Sequence, residues 1–336
     1  MRKILLSLFI ILTTFITSFA PGGSVNAGAG LAQVDHNDNI KKQILDSVKI
    51  LDDKVLDSIK NNNPDKIFEI SSEEFKNNSL SFKETLASNN KDFKDLSFEY
   101  KDRYYCKVNN VGKFNITITT AEDDPFYITT EAINKDIFVS LIKTTSNKDD
   151  YLFTLIYIKE NDEWKLRTFY AGNYSMDGMN AIDLYEKAKS LEAQGYKLPA
   201  STYMGLCSKL LRPASFIQYK KESEIVDYSK KLNKSITDEH TYPEKLKNTN
   251  NAEIYGFDVK YTKNDGIIPV VKYVTGIELG KKEELQKEAD GMNKEVTDKY
   301  SGMKENFKYI LYEAYSERPI DPKKTYNNYR SGVQQK

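Results

Sequence analysis

The sequence predicts an α+β fold: N-terminal helices packed on a curved, cone-like antiparallel sheet, followed by a second, smaller α+β domain. Three observations carry that expectation. Apolar residues recur at helical spacing from Ile40 to Ile59, switch to strict alternation after Leu96, and return to helical spacing beyond residue 175. The stretch YLFTLIYIKENDEWKLRTFYAGNY, residues 151–174, sets two alternating runs on either side of the polar break Glu160-Asn161-Asp162-Glu163, as a long β-hairpin requires. A second hairpin is written around Asn264-Asp265-Gly266, where the Asp-Gly step supplies a left-handed turn.

At 336 residues the chain can bury two cores. A hydrophobic fraction of 39% with 29% charged residues is the composition of a soluble globular protein. Formal charge is +0, from 49 basic and 49 acidic residues, and losing Arg2 and Lys3 with a leader leaves 47 basic against 49 acidic. Arginine occurs only at Arg2, Arg103, Arg167, Arg212, Arg318 and Arg330, so electrostatics give nucleic-acid binding no support.

The leader is residues 1–27. Arg2 and Lys3 form a basic n-region, Ile4 to Phe19 an apolar h-region, and Val25-Asn26-Ala27 offers small residues for signal peptidase. The apolar run is shorter than the roughly 20 residues of a spanning helix, so the expectation is export, secreted or held at the cell surface. Cys106 and Cys207 fall in different halves, and free buried thiols are preferred to a disulfide joining them.

In chain order, residues 28–39 are small and polar and read as a flexible leader. Asp35, Asn37, Asn39 and Asp46 fall at calcium-loop spacings, but Ile40 stands where Gly is needed and Asp46 where Glu belongs, so helix capping by Asp38 is the better account. Ile44, Leu45, Val48, Leu51, Val55, Leu56 and Ile59 make one stripe of a helix of about five turns. Asn63-Pro64 opens a second helix burying Ile67, Phe68 and Ile70. Ser81 with Glu84 is a capping box for a third, carrying Phe82 and Leu86.

Leu96 to Val108 then alternates, with Asp102-Arg103 interrupting like a bulge, and Phe114, Ile116 and Ile118 form the next strand. Residues 126–133 and 137–142 read as a pair around Asn134-Lys135-Asp136. In the hairpin of residues 151–174, the first strand is apolar on both faces and the second half exposed.

The segments SIKNNNPDKIFEISSEEFKN, SFKETL and FTLIYIKENDEWKLRTFY give residues 40–174 an element order that resembles the nuclear transport factor 2-like superfamily, as in small exported bacterial envelope proteins. The resemblance implies a cone, with helices packed into the concave side of a curved sheet. That superfamily holds isomerases and hydrolases as well as non-enzymatic binding modules, so the fold does not choose among them. The histidine and aspartate pairs of its enzymatic members have no evident counterpart here.

Residues 175–252 read as a helical segment and linker. Stripes at Ile182 to Leu191, Tyr203 to Leu211 and Ile225 to Ile236 give three helices, with a short strand near Phe216 and a polar connection at 237–251. Residues 253–320 form a hairpin, helix and strand unit in which Pro269 suggests an edge position. Leu285, Ala289, Met292 and Val296 mark its helix. Residues 321–336 read as a frayed tail that Tyr326 and Tyr329 could partly tie down.

Motif by motif, the chemistry is thin. His36 and His240 are the only histidines, one in the leader and one in a polar loop, which argues against a histidine-based catalytic pair or metal site. Ser140 and Lys143 have the spacing of a serine acyltransferase but point to opposite faces of a strand. Glycines at 276–280 fit a helix start better than a phosphate loop, and Glu122-Asp123-Asp124 a solvated turn better than a calcium site. No cofactor or metal is implied. If the cone holds a cavity, Tyr104, Tyr157, Arg167 and Tyr170 are its candidate ligand contacts, against the competing readings of core, open sheet face or protein interface.

The expectation is therefore an exported, non-enzymatic binding protein whose partner is an envelope protein, a wall component or a small apolar ligand. Two others stand beside it: an isomerase- or hydrolase-type enzyme using Asp, Tyr and Arg, which needs a buried carboxylate holding its proton more tightly than usual, and a structural module positioning an envelope complex.

Overall fold

A computed structural model describes residues 31–78, 82–84, 86, 93–120, 126–145, 148–247, 249 and 252–335. The export leader, the Ser81 capping box and the Glu122-Asp123-Asp124 turn lie outside the described residues. The chain is α+β and divides into two compact units. The first comprises the described residues up to Tyr174 together with Arg212–Lys220, and the second Ser175–Leu211 and the described residues from Lys221 onward.

In the first unit, α1 (Lys42–Lys60), α2 (Pro64–Glu69) and α3 (Glu73–Asn78) lie in the chain between the first strand and the second. Spacings of three and four put Val48, Asp52, Val55 and Ile59 on the buried face of α1. Its cap residue is Lys41, without a side-chain bond; Asp38 lies instead in a 3-10 turn over residues 37–39. One sheet runs β1 (Leu31–His36), β2 (Ser97–Val108), β5 (Asp136–Thr145), β6 (Tyr151–Glu160) and β7 (Glu163–Asn173), all antiparallel. The β6–β7 turn places Asn161 and Asp162 at φ 50° and 64°, a left-handed pair whose twist suits a two-residue hairpin.

β6 is interior and buried on both faces from Leu152 to Ile158, as its continuous apolar run required. One face packs Phe153, Leu155 and Tyr157 with Phe138, Ile142, Leu166 and Phe169 against Val48, Val55 and Ile59 of α1. Phe82 and Phe93 join the same core, edge-on to Phe169 and Phe153. The predicted bulge in β2 falls between Tyr100 and Asp102.

Three expectations for this unit change. Residues 31–36 are strand, not flexible leader: Val34 pairs with Cys106 and His36 with Tyr104, and Arg103 N–H donates to Asn37 Oδ1. Residues 126–131 and 136–145 are not a hairpin pair. β4 (Phe126–Glu131) pairs with β3 (Asn115–Thr119) and β8 (Ile217–Tyr219) in a separate sheet. The residues between change sheets, because Ala132 N–H donates to Phe114 while Lys135 accepts from Val108. β8 accordingly carries residues 212–220 out of the helical segment and into the first unit.

The second unit begins with α4 (Ala181–Ala193), α5 (Lys197–Leu210) and α6 (Glu222–Glu239). Asn180 and Asp183 form a capping box on α4, and Gly195, at φ 82°, ends its chain direction. The sheet runs β13 (Asn328–Gln334), β12 (Tyr309–Tyr315), β11 (Gly266–Val274), β10 (Glu253–Thr262) and β9 (Glu244–Lys245). α7 (Lys282–Lys299) crosses between the parallel pair β11 and β12, followed by the short α8 (Met303–Asn306).

Pro269 is not at the sheet edge, since β11 lies between β10 and β12. β12 pairs only from Val270 onward, so the missing N–H falls where the parallel neighbour has ended. The expected frayed tail is also ordered from Asn328 to Gln334, where β13 pairs residue for residue with β12 and Ser331 is buried. Both thiols are free and buried, and burial pushes each up to about 12.

Candidate functional site

The first unit sets a carboxylate inside its core. Asp52 occupies the stripe position between Val48 and Val55, so the period that buries those valines buries it too, at 1% exposure. Three strands aim hydroxyls at it. Tyr157 of β6 donates to Oδ1 at 2.7 Å, Ser140 of β5 to Oδ2 at 2.8 Å and Tyr100 of β2 to Oδ2 at 3.1 Å. Among the described residues no lysine or arginine is one of its partners.

Burial disfavours the charged form, and the three hydroxyls recover only part of the lost hydration. The Asp52 carboxyl is pushed up from 3.8 to about 6. The same burial, with the carboxylate beside them, holds the Tyr157 and Tyr100 phenols well above the usual range. Chemically this is a carboxyl that can hold or release one proton near neutrality. Tyr157 and Ser140 are wholly buried, and Tyr100, half-buried under the Arg103 guanidinium at 4.6 Å, is the cluster's route toward solvent.

Of the four residues expected at a site, Tyr157 alone belongs to this cluster. Tyr104 lies on the opposite face of the sheet, where it donates to Asp102 and stacks on His36 at 5.5 Å. His36 Nε2 stands 3.1 Å from Asp102 Oδ1, so the histidine read as leader is half of a histidine–aspartate pair at the β2 bulge. Arg167 bridges Glu74 of α3 and Glu131 of β4 at 3.2 Å and 2.7 Å. Tyr170 packs edge-on to Phe216. Asp52, Ser140 and Tyr100 were the residues missed, and the available signal was an acid at position i+4 from Val48 and i−3 from Val55.

Ser140 and Lys143 do part company, as their strand positions require: Lys143 pairs with Glu99 at 2.7 Å. His240 caps α6 and lies on the Tyr300 ring at 4.6 Å; burial first, then Lys299, lowers its proton affinity. Among the described residues no group of three or more metal-ligating side chains occurs.

The second unit has a face of different character. The α7 side of its sheet takes Tyr312, bonded to Asn293, together with Tyr273 and Ile310. Alternation sends Leu311, Glu313 and Tyr315 of β12, Lys272 of β11, Asp258 and Lys260 of β10, and Arg330 of β13 to the other side. Glu313 is 4% exposed and accepts from Arg330 Nε at 2.6 Å and from the Tyr315 hydroxyl at 3.0 Å, with Lys260 at 3.6 Å. Burial alone raises a carboxyl, but here these partners outweigh it and Glu313 is held below the ordinary glutamate range. Tyr255 meets Tyr315 edge-on at 6.0 Å, and the Arg318 guanidinium lies over Tyr255 at 5.8 Å. The result is a fixed array of phenols and guanidinium groups on one sheet face.

No helix among the described residues is long and apolar enough to cross a membrane. No family model matches the chain, and comparison with curated proteins and with solved structures gives no match either.

Proposed function

We propose that this chain is an exported, non-enzymatic binding protein of the bacterial cell envelope or extracellular space. Its first unit is a nuclear transport factor 2-like cone serving as scaffold, and its second unit engages a protein partner. The observation that carries the reading is the array of Tyr255, Arg318 and Arg330, braced from behind by the buried Tyr315, because tyrosine and arginine held in place by neighbours are the side chains that anchor protein interfaces. Support for the cone comes from α1 packing its buried stripe on one face of the antiparallel sheet and from the bulge that bends β2. Support for export comes from the basic and apolar leader and from the two unpaired thiols being shielded rather than reactive. A wall component and a small apolar ligand are the other binding partners considered; near-neutral charge and six arginines disfavour nucleic acid.

The test is native mass spectrometry of the protein recovered gently from its own exported fraction. A co-purifying polypeptide lost on changing Tyr255 and Arg318 to Ala supports the proposal. Recovery of the chain only from the cytosol, or a partner indifferent to those changes, overturns it.

A second reading is favoured by one observation, the Asp52 carboxyl at about 6. It makes the first unit an enzyme of isomerase or hydrolase type in which Asp52 carries a proton between two positions of a substrate that enters past Tyr100. A small molecule retained by the wild type and lost from Asp52→Asn and Tyr157→Phe alike would favour it over the scaffold.

A further inference from the structure

β13 ends its sheet, and among the described residues no strand pairs with its outer edge, whose register says which of its backbone groups are offered. Gln335 N–H donates to Lys308 O at 2.8 Å, and Gln334 lies opposite Tyr309. In an antiparallel ladder bonded positions alternate, so residues 329, 331, 333 and 335 turn their N–H and C=O toward β12. Asn328, Arg330, Gly332 and Gln334 therefore direct theirs outward. Among the described residues the Gly332 carbonyl alone meets a protein group there, the Gln286 amide of α7 at a long 3.4 Å.

Protein edges are usually blunted by lysine, proline, bulges or short length. β13 runs seven residues, NYRSGVQ, with no lysine, no proline and an unbroken register. The opposite edge of the same sheet, β9, is two residues long.

We propose that two copies of this chain associate through β13, antiparallel about a two-fold axis at Ser331. The proposal rests on the reading of the chain as an interaction protein and names one of its partners. The occupant is fixed by complementarity. This register sets Arg330 opposite Gly332 of the second copy and Asn328 opposite Gln334, and it pairs only outward-directed positions. Arg330 carries the single charge of the strand, and its guanidinium is already matched by Glu313. Facing a glycine with open space above its Cα, it meets neither a like charge nor a clash. The pairing joins two five-stranded sheets into one of ten strands and doubles the Tyr255 and Arg318 array across the axis.

Sedimentation of the full mature chain from about 1 to 100 μM tests this, with Gly332→Pro as the first variant. The lost N–H at 332 points away from β12, and nothing lies within 4 Å of a Cβ there, so the sheet keeps its own bonds. The expected result is a concentration-dependent dimer for the wild type and a monomer for Gly332→Pro, with unchanged far-ultraviolet circular dichroism. A second pair of variants stands independently of proline. Gly332→Lys faces Arg330 of the other copy and weakens the dimer about tenfold, whereas Gly332→Glu preserves or tightens it. A wild type that stays monomeric at 100 μM overturns the proposal, as does a dimer that all three variants leave intact. A monomer that still retains a foreign polypeptide removes the self-pairing and leaves the interaction reading standing.

Discussion

Replacing Asp52 by Asn should stabilise the first unit at neutral pH, and by an amount set by one equilibrium. The carboxyl titrates at about 6 in the folded protein against 3.8 for the free side chain. Below pH 3.8 it is protonated in both states and contributes no pH dependence. As pH rises through 6 the unfolded chain gives up its proton first, and the folded chain must then hold a dehydrated charge. A raised folded value therefore means stability present at low pH and lost toward neutrality. A difference of about two pK units corresponds to about 3 kcal/mol. Asparagine is neutral at every pH; its oxygen still accepts a hydroxyl and its N–H₂ can donate to the hydroxyl oxygens of Ser140 and the tyrosines. Asp52→Asn is expected to exceed wild type by up to about 3 kcal/mol at pH 8, the gap closing as pH falls to about 4. Trp164, the single tryptophan, lies against Phe138 and Tyr105 of the same core, so its fluorescence in urea titrations reports this unit alone. A variant less stable than wild type at pH 8, or a gap that does not change between pH 4 and 7, refutes the reasoning.

Tyr157→Phe removes the shortest bond to Asp52 and should cost about 1.5–3 kcal/mol at pH 8 but less at pH 4, where the acceptor is neutral, by the same fluorescence assay. Gly172→Ala would bring a methyl to 1.7 Å from the Pro213 carbonyl oxygen, so β7 and the 212–220 segment must separate; loss of soluble protein, or a fall in melting temperature of at least several degrees, is expected. Arg330→Ala strips Glu313 of its nearest cation. Because Glu313 titrates below 4.5, the stabilisation it loses is present above that value and vanishes as pH falls through the lowered one. A destabilisation of about 1–2 kcal/mol at pH 7 that shrinks below pH 4, followed by circular dichroism in urea, is the expected result.

How far the sequence could be read depended on the range of the interaction being read. Helix stripes and hairpin turns are local, so α1, the β6–β7 hairpin, the Asp-Gly hairpin and α7 fell where periodicity placed them. Sheet membership is not local. Residues 126–131 and 136–145 look like neighbours along the chain, yet Ile217 to Tyr219 lies almost ninety residues on and completes the β4 sheet. The ends misled for the opposite reason: LAQVDH and NYRSGVQ are too polar to announce strands, because each is an edge with one neighbour and little burial, none of the first being buried and only Ser331 of the second. Tyr157 was within reach of the sequence as one of the aromatic side chains of the β6–β7 hairpin, and of the four candidates it is the one that bonds Asp52. Asp52 was harder to see because a stripe is found by counting apolar residues, and Asp52 is the member of this one that is not apolar.

Two of the buried carboxylates, Asp52 in the first unit and Glu313 in the second, separate what a charge costs from what it organises. Glu313 is compensated by cations, and among the described residues Asp52 is met by hydroxyls, so of this pair it is Asp52 that weakens its unit at neutral pH. What it does in return is geometric: one side chain fixes α1 against β2, β5 and β6 through bonds of 3.1, 2.8 and 2.7 Å. Substitution by Leu separates the two effects, since it removes the charge and the acceptor together. Relief of the charge contributes about 3 kcal/mol, but three buried or half-buried hydroxyls lose their partner at about 1–3 kcal/mol each. Asp52→Leu should therefore be less stable than Asp52→Asn at every pH, and at pH 4, where no charge is relieved, less stable than wild type. Adding Tyr157→Phe and Ser140→Ala to Asp52→Leu should recover most of that loss, because the stranded hydroxyls go with it. Failure of the triple variant to recover would mean that Asp52 acts through packing of α1 rather than through the hydroxyls it gathers.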